Sequence, residues 1–286
     1  MKILIADNSG FCFGVKRAVA IAEQTLTKKK RTYSLGPLIH NRHVVRSLSD
    51  EGLKVAKRLK TLKNAYCIIP SHGMDLKAVK NRKGIRFIDT TCPFVKKAQI
   101  LASQLVKKQY HLVIVGDKRH PEIKGLRDIS LNRATVISDL KEAIGIRLKK
   151  NRIAVISQTT QSMSRFRAIA GILLKKGFGE LRIYNTICND AKNRQQQAEK
   201  LSSVCGLVLV IGGKNSANTK RLKEICSVSA KTYHIDNASE IKKRWLYKAK
   251  KLGIITGAST PDYLIKEVID KIEEISGKSL NISKLT

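Results

Sequence analysis

Gly84-Ile85-Arg86-Phe87-Ile88-Asp89-Thr90-Thr91-Cys92-Pro93 is the stretch on which the reading of this chain turns. An apolar run from Gly84 to Ile88 ends in a thiol, and Pro93 opens an amphipathic stretch reaching Lys107. A second apolar run, His111 to Val115, follows. Strand, helix, strand at this spacing reads as a βαβ unit, because parallel neighbours need a crossover of a dozen or more residues. The pattern recurs. Further strands are expected at Lys2 to Ala6, Ala65 to Ile69, Ala134 to Ile137, Ile153 to Ile156, Leu181 to Tyr184, Leu207 to Ile211 and Leu252 to Thr256, with helices at Val15 to Thr27, Asn193 to Ser203 and Pro261 to Ser276. The expected class is α/β with parallel sheets.

Two other thiols occupy settings like that of Cys92. Gly10-Phe11-Cys12-Phe13-Gly14 and Asn185-Thr186-Ile187-Cys188-Asn189 each place a cysteine between an apolar lead-in and a helix-like stretch. One thiol from each of three successive α/β units suggests a common centre. The expected division is a first lobe over 1–92, a second over 93–187 and a third over 188–260, with a helix and tail at 261–286 closing against the first. Three thiolates in a reducing compartment point to a metal or iron-sulfur site, since disulfides are rare there. A fourth ligand is not evident, and an unfilled position on a metal is a place for substrate. The plain alternative stays open, since free cysteine often behaves as a small core hydrophobe. Cys67, Cys205 and Cys226 suit that alternative.

The chain has 286 residues, enough for two or three domains. A strand that begins at Met1-Lys2-Ile3 leaves no room for a leader, so a cytoplasmic protein is expected. No apolar run approaches the roughly 18 to 20 residues that cross a bilayer. The net charge of +34, from 56 Lys+Arg against 22 Asp+Glu, would ordinarily suggest nucleic acid. Here the basic residues are scattered from Lys28-Lys29-Lys30-Arg31 to Lys248, Lys250 and Lys251, with few aromatics among them. Solvated helix faces explain such scatter, and nucleic acid is not the expected partner.

Three histidines end strand-loop sequences beside Gly or Pro: Gly36-Pro37-Leu38-Ile39-His40-Asn41, Pro70-Ser71-His72-Gly73 and Arg119-His120-Pro121-Glu122. A loop histidine taken singly is usually a surface side chain. Three of them suit phosphate binding and proton relay. Gly212-Gly213-Lys214-Asn215-Ser216-Ala217-Asn218 and Gly257-Ala258-Ser259-Thr260-Pro261 are glycine-led turns opening helices, where backbone N–H groups and hydroxyls can meet an anion. Thr260 is expected to cap the second helix, with Pro261 in its first turn. Glu122 is expected to share a loop with His120 and to act as an acid if burial raises its pKa. Thr159, in Gln158-Thr159-Thr160, supplies a hydroxyl at another strand end.

Taken in order, these motifs resemble the 4-hydroxy-3-methylbut-2-enyl diphosphate reductases over residues 10 to about 265, with Asn193-Arg194-Gln195 after Cys188 as a further match. The resemblance implies three α/β lobes in a trefoil around a 4Fe-4S cluster held by Cys12, Cys92 and Cys188, one iron being free of protein ligands. It implies reductive removal of an allylic hydroxyl to give isopentenyl and dimethylallyl diphosphate, the last step of the non-mevalonate pathway. It assigns His40, His72, Ser216, Asn218 and Ser259 to the diphosphate, and His120, Glu122 and Thr159 to the hydroxyl and the proton. A flavodoxin or ferredoxin would supply electrons, with no part for a membrane.

Two departures from the family pattern stand out. Asp190 and Ala191 replace an Ala-Thr pair, adding a charge and removing a hydroxyl near the cluster; Ile255-Thr256 replaces Thr-Ala or Thr-Ser. Two other classes therefore stay open at this point. One is a drifted member that keeps a structural metal without turnover; the other is a basic nucleic-acid-binding protein, which salt-sensitive binding to unrelated DNA would mark.

Overall fold

The computed structural model describes every residue except 29–30, 57–61, 75–82, 248, 278 and 286. Lys29, Lys30 and Lys248 of the basic stretches thus lie outside the described residues. The class is α/β, with three sheets whose strand pairs are parallel throughout.

The first sheet combines β1 (Lys2–Ala6) with β10 (Leu207–Ile211), β11 (Lys231–Ile235), β12 (Lys251–Thr256) and β13 (Asn281–Leu285) in the order β11-β10-β12-β1-β13. The second contains β2 (Thr32–Leu35), β3 (Lys54–Ala56), β4 (Ala65–Ile69) and β5 (Ile85–Asp89) in the order β3-β2-β4-β5. The third runs β7-β6-β8-β9, from β6 (His111–Val115), β7 (Thr135–Ile137), β8 (Arg152–Ser157) and β9 (Glu180–Ile183). The helices are α1 (Phe13–Lys28), α2 (Arg42–Asp50), α3 (Pro93–Lys107), α4 (Pro121–Ile129), α5 (Leu140–Gly145), α6 (Met163–Leu174), α7 (Asn189–Val204), α8 (Ala217–Cys226), α9 (Lys243–Leu246) and α10 (Asp262–Ser276).

Two compact units result, each discontinuous in sequence. One comprises Met1–Lys16, Ile39–Ser47 and Asn189–Thr286; the other comprises Arg17–Leu38 and Leu48–Cys188. In the first, the all-apolar β10 divides its side chains between two cores by strand alternation. Leu207, Leu209 and Ile211 pack with Val268 and Ile272 of α10, while Val208 and Val210 pack with Ala198 and Leu201 of α7 and Leu222 of α8. The five-stranded sheet is therefore covered on both faces, which is why β10 and β12 read as continuous apolar runs. On α10, Leu264, Val268 and Ile272 recur every fourth residue and are buried. Burying each such side chain contributes about 1.5–3 kcal/mol.

In the second unit, α3 presents Val95, Ala98, Ala102 and Leu105 as one buried stripe. The last three join Leu112 and Ile114 of β6, Ala154 and Ile156 of β8, and Ile123 and Leu126 of α4. Among the described residues no helix is long and apolar enough to cross a membrane.

Candidate active site

Every candidate side chain follows the carboxyl end of a parallel strand, where open α/β sheets gather their ligands. The two units are taken separately. In the first unit, Cys12 leaves β1 and enters α1. Its N–H donates to Ala258 O at 2.9 Å, its Sγ accepts from Val15 N at 3.5 Å, and its carbonyl accepts from Lys16 N at 2.9 Å. In the second unit, Cys92 is the N-cap of α3 and donates its N–H to Ser71 O at 2.9 Å, next to His72. Burial raises the Cys92 thiol above its ordinary pKa, while the backbone N–H groups of Phe94 and Val95 pull it back. Cys188 precedes α7 and donates its N–H to Thr159 O at 2.9 Å.

These three thiols are only part-buried, whereas Cys67, Cys205 and Cys226 are buried. Burial lifts Cys67 to about 11 and Cys226 to about 12. The second trio therefore suits the core, while the first stays accessible to a partner. Among the described residues no three His, Cys, Asp or Glu side chains converge where a single ion could sit. An iron-sulfur cluster makes a different demand, since it offers a separate iron to each thiolate; each of the three thiols, taken within its own unit, is part-buried at a helix start.

The acid of the second unit is Glu122, which is 2% exposed. Thr159 N donates to Oε1 at 2.7 Å and Thr159 Oγ1 donates to Oε2 at 2.8 Å. Burial pushes the carboxyl up to about 7, against the pull of both Thr159 bonds. Glu122 and His120 do not share a loop as the sequence reading expects. Pro121 starts α4, Glu122 is in its first turn, and His120 is its N-cap, with Nδ1 accepting from Glu122 N at 3.2 Å. The helix holds the carboxyl in place, and acceptance at Nδ1 assigns the neutral ring's proton to Nε2. Thr159 caps no helix; that task belongs to Ser162, which accepts from Arg165 N at the start of α6.

Three loops of the first unit pack together. Gly212 has φ +150, and a Cβ there would press on Thr219 and Thr260 hydroxyls at 2.8 Å. A Cβ on Gly213 would lie 2.5 Å from His40 O, so the loop before α8 sits directly on the His40 backbone. Ser259 Oγ donates to the same carbonyl at 3.3 Å. Ser216 caps α8 by accepting from Thr219 N at 3.3 Å, which leaves its own hydroxyl hydrogen for another acceptor. Asn218 is 5% exposed, and its Nδ2 is buried without a hydrogen bond among the described residues. His40 is held below its ordinary pKa by burial, favouring a neutral ring. Thr260 does not cap α10: the N-cap is Pro261, without a side-chain bond, and the Thr260 hydroxyl donates to Ile211 O at 3.0 Å. Fully buried, it ties the loop back to β10.

Arg194 belongs to a motif the sequence shows, but its role is structural and visible only in the fold. It is 2% exposed on α7, donates to Asp190 Oδ2 at 2.8 Å, to Thr256 O at 2.9 Å and to Gly10 O at 2.9 Å. Thr256 Oγ1 in turn accepts from Gly10 N at 2.8 Å. The charge of Asp190 is thus met by Arg194, and the pair braces the loop that leads to Cys12. Ala191 is packed at 1% exposure. A buried arginine has no sequence signature, which is why only its motif was visible.

The family model described as LytB protein matches residues 3–273. The 4-hydroxy-3-methylbut-2-enyl diphosphate reductase of Caldanaerobacter subterraneus subsp. tengcongensis is 44% identical over 289 residues, covering 98% of this chain and 100% of that protein. The protein of the same name from Geotalea uraniireducens is 41% identical over 279 residues, covering 96% and 98%. Among solved structures, (E)-4-hydroxy-3-methyl-but-2-enyl diphosphate reductase, the terminal enzyme of the non-mevalonate pathway, is 38% identical with a TM-score of 0.68, covering 96% of this chain and 100% of that one. The Plasmodium falciparum E-1-hydroxy-2-methyl-but-2-enyl-4-diphosphate reductase, at 23% identity and a TM-score of 0.93 over 100% of this chain and 92% of its own, shares the fold. By sequence match along nearly its whole length, the chain belongs to the LytB family.

Proposed function

We propose that this chain reduces 4-hydroxy-3-methylbut-2-enyl diphosphate to isopentenyl and dimethylallyl diphosphate. The observation that carries the reading is the buried Glu122–Thr159 pair, a carboxyl raised to about 7, in a chain 44% identical to a protein named for that reduction. The net reaction replaces a C–O bond by C–H with two electrons and two protons, and the oxygen leaves as water.

Cys12, Cys92 and Cys188 would hold a 4Fe-4S cluster, which when bound supplies the two electrons and an iron open to the substrate oxygen. The remaining work belongs to side chains. Ser216, Asn218, Ser259, His40 and His72 would bind the diphosphate, whose buried charge needs paired donors. Thr159 can donate its hydroxyl to ionised Glu122 or accept from the protonated acid. In the second state its own proton is free for the departing oxygen, so the pair can pass a proton outward. His120, with its proton on Nε2, would orient that oxygen.

Electrons would come from an acidic carrier such as a flavodoxin or ferredoxin, which a +34 chain attracts. The cytoplasm, which keeps thiols reduced, is the compartment this chemistry needs. The test is anaerobic purification with iron and sulfide analysis, then turnover of the allylic diphosphate with product analysis. Cluster-loaded protein that leaves the substrate unchanged would refute the reading. Turnover with the protein carrier should fall with salt more steeply than with a small neutral reductant, because screening shortens from about 30 Å at 0.01 M to about 10 Å at 0.1 M.

A further inference from the structure

We propose that Asn41 is a further donor to the diphosphate, an inference that rests on the reading of the chain as a diphosphate reductase. Asn41 is 2% exposed. Its Oδ1 accepts from His43 N at 3.0 Å and from Val44 N at 3.3 Å, capping α2. Those two bonds identify the oxygen end of the amide, so the opposite end is the NH2 group. That Nδ2 is buried and has no hydrogen-bond partner among the described residues.

The surroundings say which acceptor it fits. The loop bearing Ser216 and Asn218 lies on this backbone, since a Cβ on Gly213 would stand 2.5 Å from His40 O and 3.6 Å from Asn41 Cα. Ser259 donates to His40 O, and Arg42 Nε pairs with the buried Asp236 Oδ2 at 2.6 Å, fixing the start of α2 to the end of β11. Asn218 Nδ2 is likewise buried and unpartnered. Two amide donors without acceptors, on loops packed against each other, call for a ligand with several acceptor oxygens. Buried N–H groups left unpaired are unfavourable, and a diphosphate would satisfy both.

The capping role supplies the control, because Asn, Asp and Ser cap helices about equally well. Asn41→Ser keeps an oxygen for the cap and removes the donor; Asn41→Asp keeps the shape and replaces the donor with a negative charge. Inorganic pyrophosphate is the probe, titrated calorimetrically into the full-length protein, with thermal melts alongside. The melting temperature of Asn41→Ser should stay within about 2 °C of the parent, as capping is retained, whereas Asn41→Asp buries a carboxylate and should melt lower. Pyrophosphate should bind about tenfold more weakly to Asn41→Ser and about 100-fold more weakly to Asn41→Asp. Unchanged affinity in both variants overturns the proposal and leaves Nδ2 to a water. Affinity lost only in step with melting temperature, equally in both, also overturns it and makes Asn41 a cap alone. A parent protein that ignores pyrophosphate overturns the diphosphate reading itself, and this inference with it.

Discussion

The loops that close the five-stranded sheet and those that close the β7-β6-β8-β9 sheet end in opposite chemical states. Around β10 and β12, with the His40–Asn41 backbone packed on them, Asn41 and Asn218 keep buried amide N–H groups without acceptors among the described residues, and Ser216 keeps a hydroxyl hydrogen to give. Around β6 and β8, Glu122 takes both of its bonds from Thr159, and His120 is engaged by the backbone of α4. One region holds donors that an anion could complete; the other holds a carboxyl whose bonds come from Thr159 and which burial raises to about 7. In the proposed reaction binding and proton transfer fall to different loops, and they should fail independently.

Cysteine variants cut across both regions and should have the largest effect. Cys12→Ser, Cys92→Ser or Cys188→Ser should abolish iron and sulfide loading, whereas Cys67→Ser, Cys205→Ser and Cys226→Ser should keep it with only a stability loss from polar burial. A normal iron content in any of the first three ends the ligand assignment.

Next in size is the acid. Glu122→Gln should lower kcat by about 10² or more with diphosphate affinity retained. Because burial raises this carboxyl to about 7, it is protonated below that pH, so turnover should fall as pH rises through about 7. A pH profile with the same limb in Glu122→Gln would assign the limb to another group. Stability has the same sign: the folded protein binds this proton more tightly than the unfolded chain, so the contribution is full below the ordinary carboxyl pKa and lost as pH passes about 7.

Removing a donor should do the reverse. Asn218→Ala should weaken diphosphate binding by about 10- to 100-fold, seen as a raised KM, and leave the pH limb where it was. A shift in the limb would show that the two regions are coupled. The smallest effect belongs to the brace: Asp190→Ala should cost about 1 kcal/mol in a urea melt, since Asp190 is 27% exposed and Arg194 keeps its carbonyl partners.

The central strands were legible because they are covered on both faces and therefore read as unbroken apolar runs; β1, β4, β6 and β10 fall where the pattern puts them. The edge strands β3, β11 and β13, and the four-residue β2, were not. Lys231–Ile235 and Asn281–Leu285 carry polar residues on partly exposed backbones, so little distinguishes them from loops until a neighbour pairs with them. The start of α4 was missed for a related reason: His120-Pro121-Glu122 has the composition of a turn, and the cap bond at Nδ1 with the Lys124 N–H bond to His120 O marks it as a helix.

By itself the sequence determined the parallel α/β class, the three thiols that differ from the core cysteines, and the motifs that resemble the reductases, all of which live in local pattern and residue chemistry. Only the tertiary structure decided that β1 lies between β12 and β13, that Arg194 answers the charge of Asp190, that Thr260 bonds β10 instead of capping α10, and that Glu122 is buried with Thr159 as its partner. The strand order, the Thr260 bond and the Glu122–Thr159 pair depend on partners distant in the chain, and Arg194, though only four residues from Asp190, is buried by its bonds to Thr256 and Gly10. Burial, a carboxyl's pKa and the satisfaction of a polar atom are properties of the neighbours that folding supplies.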